Sequence, residues 1–445
     1  MRAVVVGLAV TGRAVARALL ARGWDVVAVD DRPGPDARGA AEELGITLVE
    51  SPPPERLVGV TAGAEVVVVS PGVPAAHPVF SLPPGPEVVS EIELAARWAT
   101  VPMVAVTGTN GKTTVVTLAA RMLAESGVKA VAAGNIGLPL IEAVDSLPAG
   151  EGVLVVEVSS FQLALTTTFH PAVATWLNLA EDHLDWHPSL EHYAGAKARI
   201  WRNQGPEDTA VVNAEDETVM RAATSGSSAP GSRLVTFGLA GGDYTFCEGN
   251  LVGPGGTAIA AAAELPRALP HDVSNYLAAV ASAVPVGATL PGCRRALLDF
   301  EGLPHRVALV RESGGVRFYD DSKATTPASV LAALSGFDSV VLIAGGRNKG
   351  LDLGVLRDGA PRIRAVVAIG EAAGEVADVF AGTRPVRHAA SMQQAVELAA
   401  AVARPGDAVL LSPGCASFDW YGSYAERGDD FVAAVGRLTG PGSRA

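Results

Sequence analysis

The chain has 445 residues, enough for two to four domains of ordinary size, and a formal net charge of -13. Because it has no Lys/Arg-rich run, and nucleic-acid binding depends on clustered cations, we expect no nucleic-acid partner. Three scattered cysteines give no disulfide framework, and the apolar runs are too short for a signal peptide or a membrane span. We therefore expect a cytoplasmic protein with no membrane partner.

The first part of the sequence predicts a Rossmann-like domain over residues 1–98. Predicted strands cover residues 2–6, 26–29 and 66–69, a glycine turn covers 7–12, and a helical pattern covers 13–22. The glycine spacing is not G-x-G-x-x-G, so the turn alone is weak evidence for a nucleotide site. Ser70, Pro71 and Gly72 follow the third strand, at a carboxyl end where open α/β sheets bind ligands. A plain strand-to-helix turn explains that segment equally well.

A central domain is predicted over residues 99–301, and it opens with a phosphate-binding pattern. An apolar strand at 104–106 precedes Gly108, Gly111 and Lys112, and a helical pattern follows from Val115. In such a loop the backbone N–H groups and the lysine face phosphate oxygens, and the hydroxyl of Thr113 or Thr114 can hold Mg²⁺. Val106 stands where the standard P-loop has its first glycine, so a plain turn with a solvated lysine competes with this interpretation.

Two further strands of the central domain end in polar residues. Glu157 lies near the end of the predicted strand 153–158, and His183 follows the predicted strand 172–177. A buried acid is costly unless it is paired or bound to metal, so the two side chains are candidates to place a divalent cation over a triphosphate. A local hydrogen bond is the alternative for His183. Lys197 lies on a predicted helix, where the pattern alone predicts a solvated side chain. Residues 224–232 are rich in Ser, Gly and Ala, which predicts an exposed loop. Residues 251–263 are rich in Gly and Ala, and we expect them to belong to strands or loops of a small sheet.

A C-terminal domain is predicted over residues 302–445. Its predicted strands cover residues 316–319, 340–344, 365–369 and 408–411. Polar loops follow three of these strands, and they carry Lys323, Lys349 and Ser417. Because the carboxyl ends of parallel strands meet at one edge of a sheet, we expect the loops to form one site for a small anion such as a dicarboxylate.

These motifs, in this order and over essentially the whole chain, resemble those of the Mur ligase family. The segments that carry the resemblance are 107–114, 134–139, 157–162, 181–185, 303–306, 321–325 and 411–417. The family has its own version of the ATP loop, which accounts for Val106. The implied fold class is α/β with three domains: a Rossmann-like N-terminal domain, a central P-loop ATPase-like domain with a mainly parallel sheet, and a Rossmann-like C-terminal domain.

The resemblance implies an ATP-dependent ligase of peptidoglycan precursor synthesis. It would join D-glutamate to the alanyl carboxylate of UDP-N-acetylmuramoyl-L-alanine through an acyl phosphate. It would use ATP and Mg²⁺ at two sites, with Mn²⁺ as an alternative metal, and act as a monomer on small molecules. An L-glutamate-adding or sister Mur ligase, a folylpolyglutamate synthase-like ligase and a regulatory nucleotide-binding protein remain open as alternatives.

The resemblance also implies a role for individual residues. ATP contacts fall to Gly108, Thr109, Asn110, Gly111, Lys112, Thr113, Thr114, Asn275, Arg306 and Asp321. Contacts with the UDP precursor fall to Val10, Thr11, Asp30, Ser70, Pro71, Gly72, Asn135 and His183. Contacts with glutamate fall to Lys323, Thr325, Lys349, Ser417, Phe418 and Tyr424. The metal ligands are Thr113, Thr114, Glu157, His183 and Lys197, the last as an N6-carboxylated (carbamylated) lysine, and the catalytic residues are Lys112, Glu157, His183, Lys197 and Lys323.

Two positions depart from the family pattern. Asp272 follows His271 where the family usually has an asparagine, which puts its contribution to ATP contacts in doubt. Tyr424 stands where a phenylalanine is common in the glutamate pocket.

Overall fold

The structure, a computed structural model, describes residues 1–225 and 229–438. The chain divides into two compact units. The first unit contains residues 1–179, 186–265 and 274–299, and the second contains 180–185, 266–273 and the described chain from residue 300 onward. The 3₁₀ helices cover Pro78–Ser81, Arg199–Trp201, Pro254–Gly256, Ala262–Glu264, Val284–Val286 and Leu353–Arg362. In the described part of the chain, no helix is long and apolar enough to cross a membrane.

A five-stranded parallel sheet in the first unit confirms the predicted Rossmann-like fold. Its strands are β1 (Arg2–Val6), β2 (Asp25–Asp30), β3 (Thr47–Glu50), β4 (Val66–Val69) and β5 (Glu87–Ser90), in the order β3-β2-β1-β4-β5. Its helices are α1 (Val10–Ala21), α2 (Pro35–Leu44), α3 (Pro54–Thr61) and α4 (Glu91–Ala96). The valine runs of β1 and β4 are buried, as expected for strands covered on both faces.

The predicted glycine turn over 7–12 is wrong in its extent, because α1 already begins at Val10. Gly12 lies inside the helix, where a Cβ atom would stand only 1.9 Å from the carbonyl oxygen of Gly7. The glycine therefore lets the first turn of α1 pack closely against the end of β1, and does not itself turn the chain.

A nine-stranded sheet forms the second part of the first unit. Its strands are β6 (Met103–Thr107), β7 (Ala130–Gly134), β8 (Val153–Glu157), β9 (Val173–Trp176), β10 (Thr209–Asn213), β11 (Arg233–Gly238), β12 (Tyr244–Cys247), β13 (Asn250–Gly253) and β14 (Thr257–Ala261). The order is β14-β13-β12-β11-β10-β9-β6-β8-β7. The helices that follow in the chain are α5 (Lys112–Glu125), α6 (Leu140–Ala143), α7 (Ser160–Ala164), α8 (Leu190–Ala198), α9 (Glu217–Thr224), α10 (Pro270–Ala283) and α11 (Leu290–Leu298).

The prediction that residues 251–263 belong to strands or loops of a small sheet is correct for the strands and wrong for the size of the sheet. Those residues form β13 and β14, which extend the parallel sheet by two antiparallel pairings, because the tight connection between β12 and β13 reverses the chain onto the sheet edge. Part of the loop predicted over 224–232, residues 226–228, lies outside the described residues.

A six-stranded sheet forms the core of the second unit. Its strands are β15 (Ala308–Ser313), β16 (Val316–Asp320), β17 (Val340–Gly345), β18 (Ile363–Ile369), β19 (Val386–His388) and β20 (Ala408–Leu411), in the order β15-β16-β20-β17-β18-β19. Its helices are α12 (Pro327–Leu334), α13 (Ala373–Phe380), α14 (Met392–Val402) and α15 (Tyr424–Arg437). Only β15 is antiparallel to its neighbour. Since β20 lies between β16 and β17, the carboxyl ends of these three strands are adjacent.

A buried carboxylate on α4, the helix that follows β5, binds the loop before β9. Glu93 on α4 is fully buried and accepts hydrogen bonds from the backbone N–H groups of Thr167, Thr168 and Phe169 and from both threonine hydroxyls. Arg97 donates to the same carboxylate at 2.9 Å. Burial alone would raise the pKa of Glu93, but hydrogen bonds from Thr168, Thr167 and Arg97 outweigh it and lower the pKa to about 2.

We expect Glu93→Gln to destabilise the first unit at neutral pH by about 3 kcal/mol, the free energy that corresponds to this pKa shift. The amide would also present an N–H group to backbone donors. A lowered pKa stabilises the fold fully above the unfolded-state pKa near 4.5, and the stabilisation is lost as the pH falls toward 2. Urea unfolding should thus show a difference between wild type and Glu93→Gln that shrinks from pH 7 to pH 3.5. A constant difference would contradict this account.

Candidate active site

The phosphate loop connects β6 to α5 in the form that the sequence predicts. Gly111 directly precedes α5 and has a φ of 87°, and a Cβ atom there would lie 2.4 Å from Oδ1 of Asn275, so glycine is needed. Asn275, a predicted ATP contact, thus lies against the loop. The Lys112 ammonium group donates to the carbonyl oxygens of Gly108 at 2.9 Å and Thr109 at 3.0 Å. The helix N-terminus and the lysine together give the loop a positive potential suited to phosphate.

Asn178 shapes this loop, and the sequence interpretation assigned it no role. Its Oδ1 atom accepts hydrogen bonds from the N–H groups of Thr109 at 3.0 Å and Asn110 at 2.9 Å, and its Nδ2 donates to the Asn110 carbonyl at 3.1 Å. Thr107 pairs with Trp176 in the β6–β9 register, so Asn178 lies just past the end of β9, beside the loop. The sequence did contain a signal for this role. Asn178 is an amide side chain two residues after a buried strand that is adjacent to the phosphate loop.

Glu157 links the phosphate loop to Asn135. The Glu157 side chain is almost fully buried, and its Oε2 accepts the Thr113 hydroxyl hydrogen bond at 2.9 Å while its Oε1 accepts from the Asn135 amide at 3.0 Å. The register of β8 with β6 and β7 brings these groups together. A carboxylate beside a threonine hydroxyl at a phosphate loop fits Mg²⁺, whose remaining ligands are usually phosphate oxygens and water. Among the described residues, no group of three or more His, Cys, Asp or Glu side chains could hold a metal ion.

The helical pattern alone predicts a solvated side chain for Lys197, and this prediction is wrong. Lys197 is 1% exposed, and its ammonium group donates to the Gly108 carbonyl at 2.9 Å and lies 4.5 Å from the ring centroid of Tyr193. Ala196, Ala198 and Tyr193 are also buried, so α8 packs on several sides and the small residues allow close approach. Lys112 and Lys197 therefore share one carbonyl acceptor in the phosphate loop.

A cavity of about 630 Å³ opens at the carboxyl ends of β1, β2 and β4. Its lining includes Val10, Thr11, Asp30, Ser70, Pro71, Gly72 and Asn135. These are the residues predicted to contact the UDP precursor, apart from His183. The Asp30 carboxylate accepts from the N–H groups of Leu8 and Arg32, both at 2.9 Å, and the Ser70 hydroxyl donates to the Gly7 carbonyl at 2.8 Å. Val10 and Thr11, the first residues of α1, line the same cavity. Rossmann-like folds commonly bind anions at a helix N-terminus placed in this way.

The predicted anion site of the second unit lies at the adjacent ends of β16, β20 and β17. Lys323 is half-buried, with its ammonium nitrogen 5.0 Å from the ring centroid of Tyr424, so the departure from phenylalanine preserves an aromatic face. Ser417 is buried, whereas Phe418 is 62% exposed. Thr325 is half-buried in the loop after β16.

Asp321 is buried beneath this edge, where its carboxylate accepts the Ser412 hydroxyl hydrogen bond at 2.7 Å. Burial raises the pKa of Asp321 to about 7, against the opposing effects of Ser412 and of the Arg306 charge. Asp272, which stands where the family usually has an asparagine, forms an ion pair in this structure. Its carboxylate accepts two hydrogen bonds of 2.8 and 3.0 Å from Arg267. Arg267 in turn donates to the Arg306 carbonyl at 2.9 Å, next to this predicted ATP contact.

The segment 180–185, which carries His183, belongs to the second unit. There the Lys349 ammonium group forms a 2.8 Å hydrogen bond with the Asp182 carboxylate, and His183 Nε2 lies 3.4 Å from the same side chain. Burial alone would raise the pKa of Asp182, but the charges of His183 and Lys349 lower it below the ordinary value. His183 thus makes a local contact, the alternative considered from the sequence, and its predicted metal role stays a prediction.

Three family models match the chain in order: the Mur ligase MurD-like N-terminal domain over residues 1–83, the Mur ligase middle domain over 106–283, and the Mur ligase glutamate ligase domain over 305–415. A UDP-N-acetylmuramoylalanine--D-glutamate ligase from Frankia casuarinae is 44% identical, covering 97% of this chain and 93% of the relative. A protein of the same name from Geobacter metallireducens is 41% identical, covering 99% and 98%.

Solved structures share the fold at lower identity. The MurF ligase from Thermotoga maritima in complex with ADP superposes with a TM-score of 0.62 at 16% identity, covering 92% of this chain and 93% of that one. At this identity the likeness concerns the fold alone.

Proposed function

The chain belongs to the Mur ligase family, and on that premise we propose that it uses ATP to join D-glutamate to the alanyl carboxylate of UDP-N-acetylmuramoyl-L-alanine. The observation that carries the proposal is the position of Asn135. This residue lines the large cavity of the five-stranded domain and also donates to Glu157, whose carboxylate holds Thr113 of the phosphate loop. An acceptor seated in the cavity would thus lie next to the place where ATP phosphates bind.

The first chemical step would be attack of the acceptor carboxylate on the γ-phosphate, which releases ADP and leaves an acyl phosphate. The glutamate amine then attacks the acyl carbon, and phosphate departs as the amide forms. Such a reaction depends mainly on positioning and on neutralisation of phosphate charge. Lys112 supplies a cation that exchanges its loop carbonyl acceptors for phosphate oxygens, and the α5 N-terminus adds its partial positive charge.

The metal and lysine chemistry is also part of the proposal. Thr113, Thr114 and Glu157 would hold one Mg²⁺, which neutralises phosphate charge when bound. Lys197, as a carbamate, and His183 would serve a second ion, for which Mn²⁺ is an alternative. The shared carbonyl acceptor supports carbamylation of Lys197: a carbamate would turn two neighbouring cations into an opposite-charge pair with Lys112.

Substrate contacts follow the predicted sets. The acceptor would be held by Val10, Thr11, Asp30, Ser70, Pro71, Gly72, Asn135 and His183, and glutamate by Lys323, Thr325, Lys349, Ser417, Phe418 and Tyr424. Asn275, Arg306 and Asp321 would complete the ATP contacts. We further propose a monomer that works in the cytoplasm, where ATP and UDP-linked precursors are available.

The test is an ADP-release assay on the purified chain with ATP, the acceptor and single amino acids. We expect ADP release only when acceptor and D-glutamate are both present, and a product heavier than the acceptor by one glutamyl residue. Turnover with L-glutamate, with another amino acid, or with a folate acceptor would identify one of the sister activities. ATP binding without turnover on any of these would favour a regulatory protein.

A further inference from the structure

A buried arginine lies beneath the predicted glutamate loops. Arg427, in the first turn of α15, is 1% exposed, and its guanidinium group donates to the Ser322 hydroxyl at 3.0 Å, the Ser322 carbonyl at 2.8 Å and the Cys415 carbonyl at 3.1 Å. No carboxylate is among these hydrogen-bond partners. Burial lowers the pKa of Arg427 to about 10, which leaves the group charged at neutral pH.

The hydrogen-bond acceptors of Arg427 belong to two of the three loops at this edge. Ser322 directly precedes Lys323, and Cys415 lies two residues before Ser417. The Ser322 hydroxyl also donates to the Tyr424 carbonyl at 2.7 Å, so the start of α15 is tied to the same point.

The loop after β17, which carries Lys349, passes the same guanidinium group. A Cβ atom on Gly346 would lie 3.2 Å from Nη1 of Arg427 and 2.4 Å from the carbonyl oxygen of Ala416, so only glycine allows this approach. Arg347 and Ala416 exchange backbone hydrogen bonds of 2.9 and 3.0 Å, which joins this loop to the Cys415 loop. The guanidinium group therefore lies where the three loops converge.

We propose that Arg427 is a positioning residue for the amino-acid substrate: it fixes the Lys323 and Ser417 loops against each other and adds a buried positive charge behind the dicarboxylate site. The proposal rests on the glutamate-binding role of these loops given above. Arg427 is buried, and each of its three guanidinium nitrogens donates to a protein acceptor, so it acts through the loops and not as a ligand. An arginine suits this positioning role because its planar guanidinium group presents several N–H donors at fixed angles, like a fork, and so reaches acceptors on separate loops. A lysine ammonium group cannot do this.

The test measures the KM values for glutamate, ATP and the acceptor in wild type, Arg427→Met and Arg427→Lys. A shift of about 1 Å in reacting groups costs on the order of 100-fold in rate, so we expect Arg427→Met to lower kcat/KM for glutamate by about that factor. Most of the change should appear in the glutamate KM, with the KM values for ATP and acceptor within about three-fold of wild type. Arg427→Lys should keep the fold and raise the glutamate KM by about 10-fold, since it retains the charge but loses the fork.

Arg364→Met is the matched control. Arg364 lies in β18 of the same sheet and binds the Asp407 carboxylate through two hydrogen bonds of 2.5 and 3.0 Å, away from the three loops. We expect it to lower the melting temperature without a selective effect on glutamate. A wild-type glutamate KM in Arg427→Lys, or equal rises in all three KM values, would overturn the proposal. Wild-type protein that fails to turn over glutamate would instead refute the proposed function.

Discussion

Lys112→Ala should lower the rate of ADP release by on the order of 1,000-fold or more when the acceptor and glutamate are both present. The side chain lies at the N-terminus of α5 with its ammonium group on the loop carbonyls of Gly108 and Thr109, so it is already oriented toward the phosphate position. A positioned cation on a transferred phosphoryl group typically contributes this much, because the developing charge meets a group that needs no reorganisation. Initial rates from a coupled ADP assay at saturating substrates measure the loss.

The matched control for this variant is Lys129→Ala. Lys129 precedes β7 of the same sheet, is 62% exposed and pairs with Glu151 at 2.8 Å. Exposed ion pairs contribute little, so this variant should keep the wild-type rate. Thermal unfolding of both variants separates lost chemistry from lost fold. A Lys112→Ala protein that keeps more than about one-tenth of the wild-type rate would remove this lysine from the phosphoryl-transfer step, since one lost charge-assisted contact already costs more than that.

The strand ends could be predicted because each one depends on residues that are neighbours in the sequence. Buried, valine-rich runs mark β1, β4, β6 and β8, and the residues that follow each run must lie at the carboxyl edge of a parallel sheet. The structure has the cavity lined by Ser70, the phosphate loop and the three C-terminal loops at such strand ends, while the ligands assigned to them stay predictions.

Contacts between distant segments were not predictable in the same way. Asn178 binds a loop 68 and 69 residues away, and Arg427 binds Ser322 over 105 residues, with no periodic pattern that marks either. For Lys197 the sequence pattern predicts the wrong environment. A helix rich in small residues has no clear apolar face in sequence, so its lysine is expected to be solvated, and only the packing around α8 shows that the lysine is buried. Arg427 and Lys197 lie on helices and not at strand ends, so the strand-end rule does not find them.

Lys197→Ala should lower the ligation rate by about 100-fold or more, and formate or acetate should restore part of the lost activity. A carbamate carries its negative charge on a carboxylate-like group beyond the Lys197 nitrogen, near the Gly108 carbonyl and Lys112. The alanine variant leaves space in a buried position, and a small carboxylate that enters it would supply the charge that we propose the carbamate gives to the second metal ion. Rates measured over a range of formate concentrations should rise to a plateau.

The same formate series on Lys112→Ala should show no recovery, because a carboxylate cannot replace a cation at the phosphates. Wild type should remain unaffected by formate, and removal of CO₂ from its buffer should slow it reversibly until bicarbonate is restored. If Lys197 instead acts as an ammonium group on the Gly108 carbonyl, carboxylates will not rescue Lys197→Ala, and the wild-type rate will not respond to CO₂. The two forms of the lysine carry opposite charges, so these measurements decide between them without reference to any other residue.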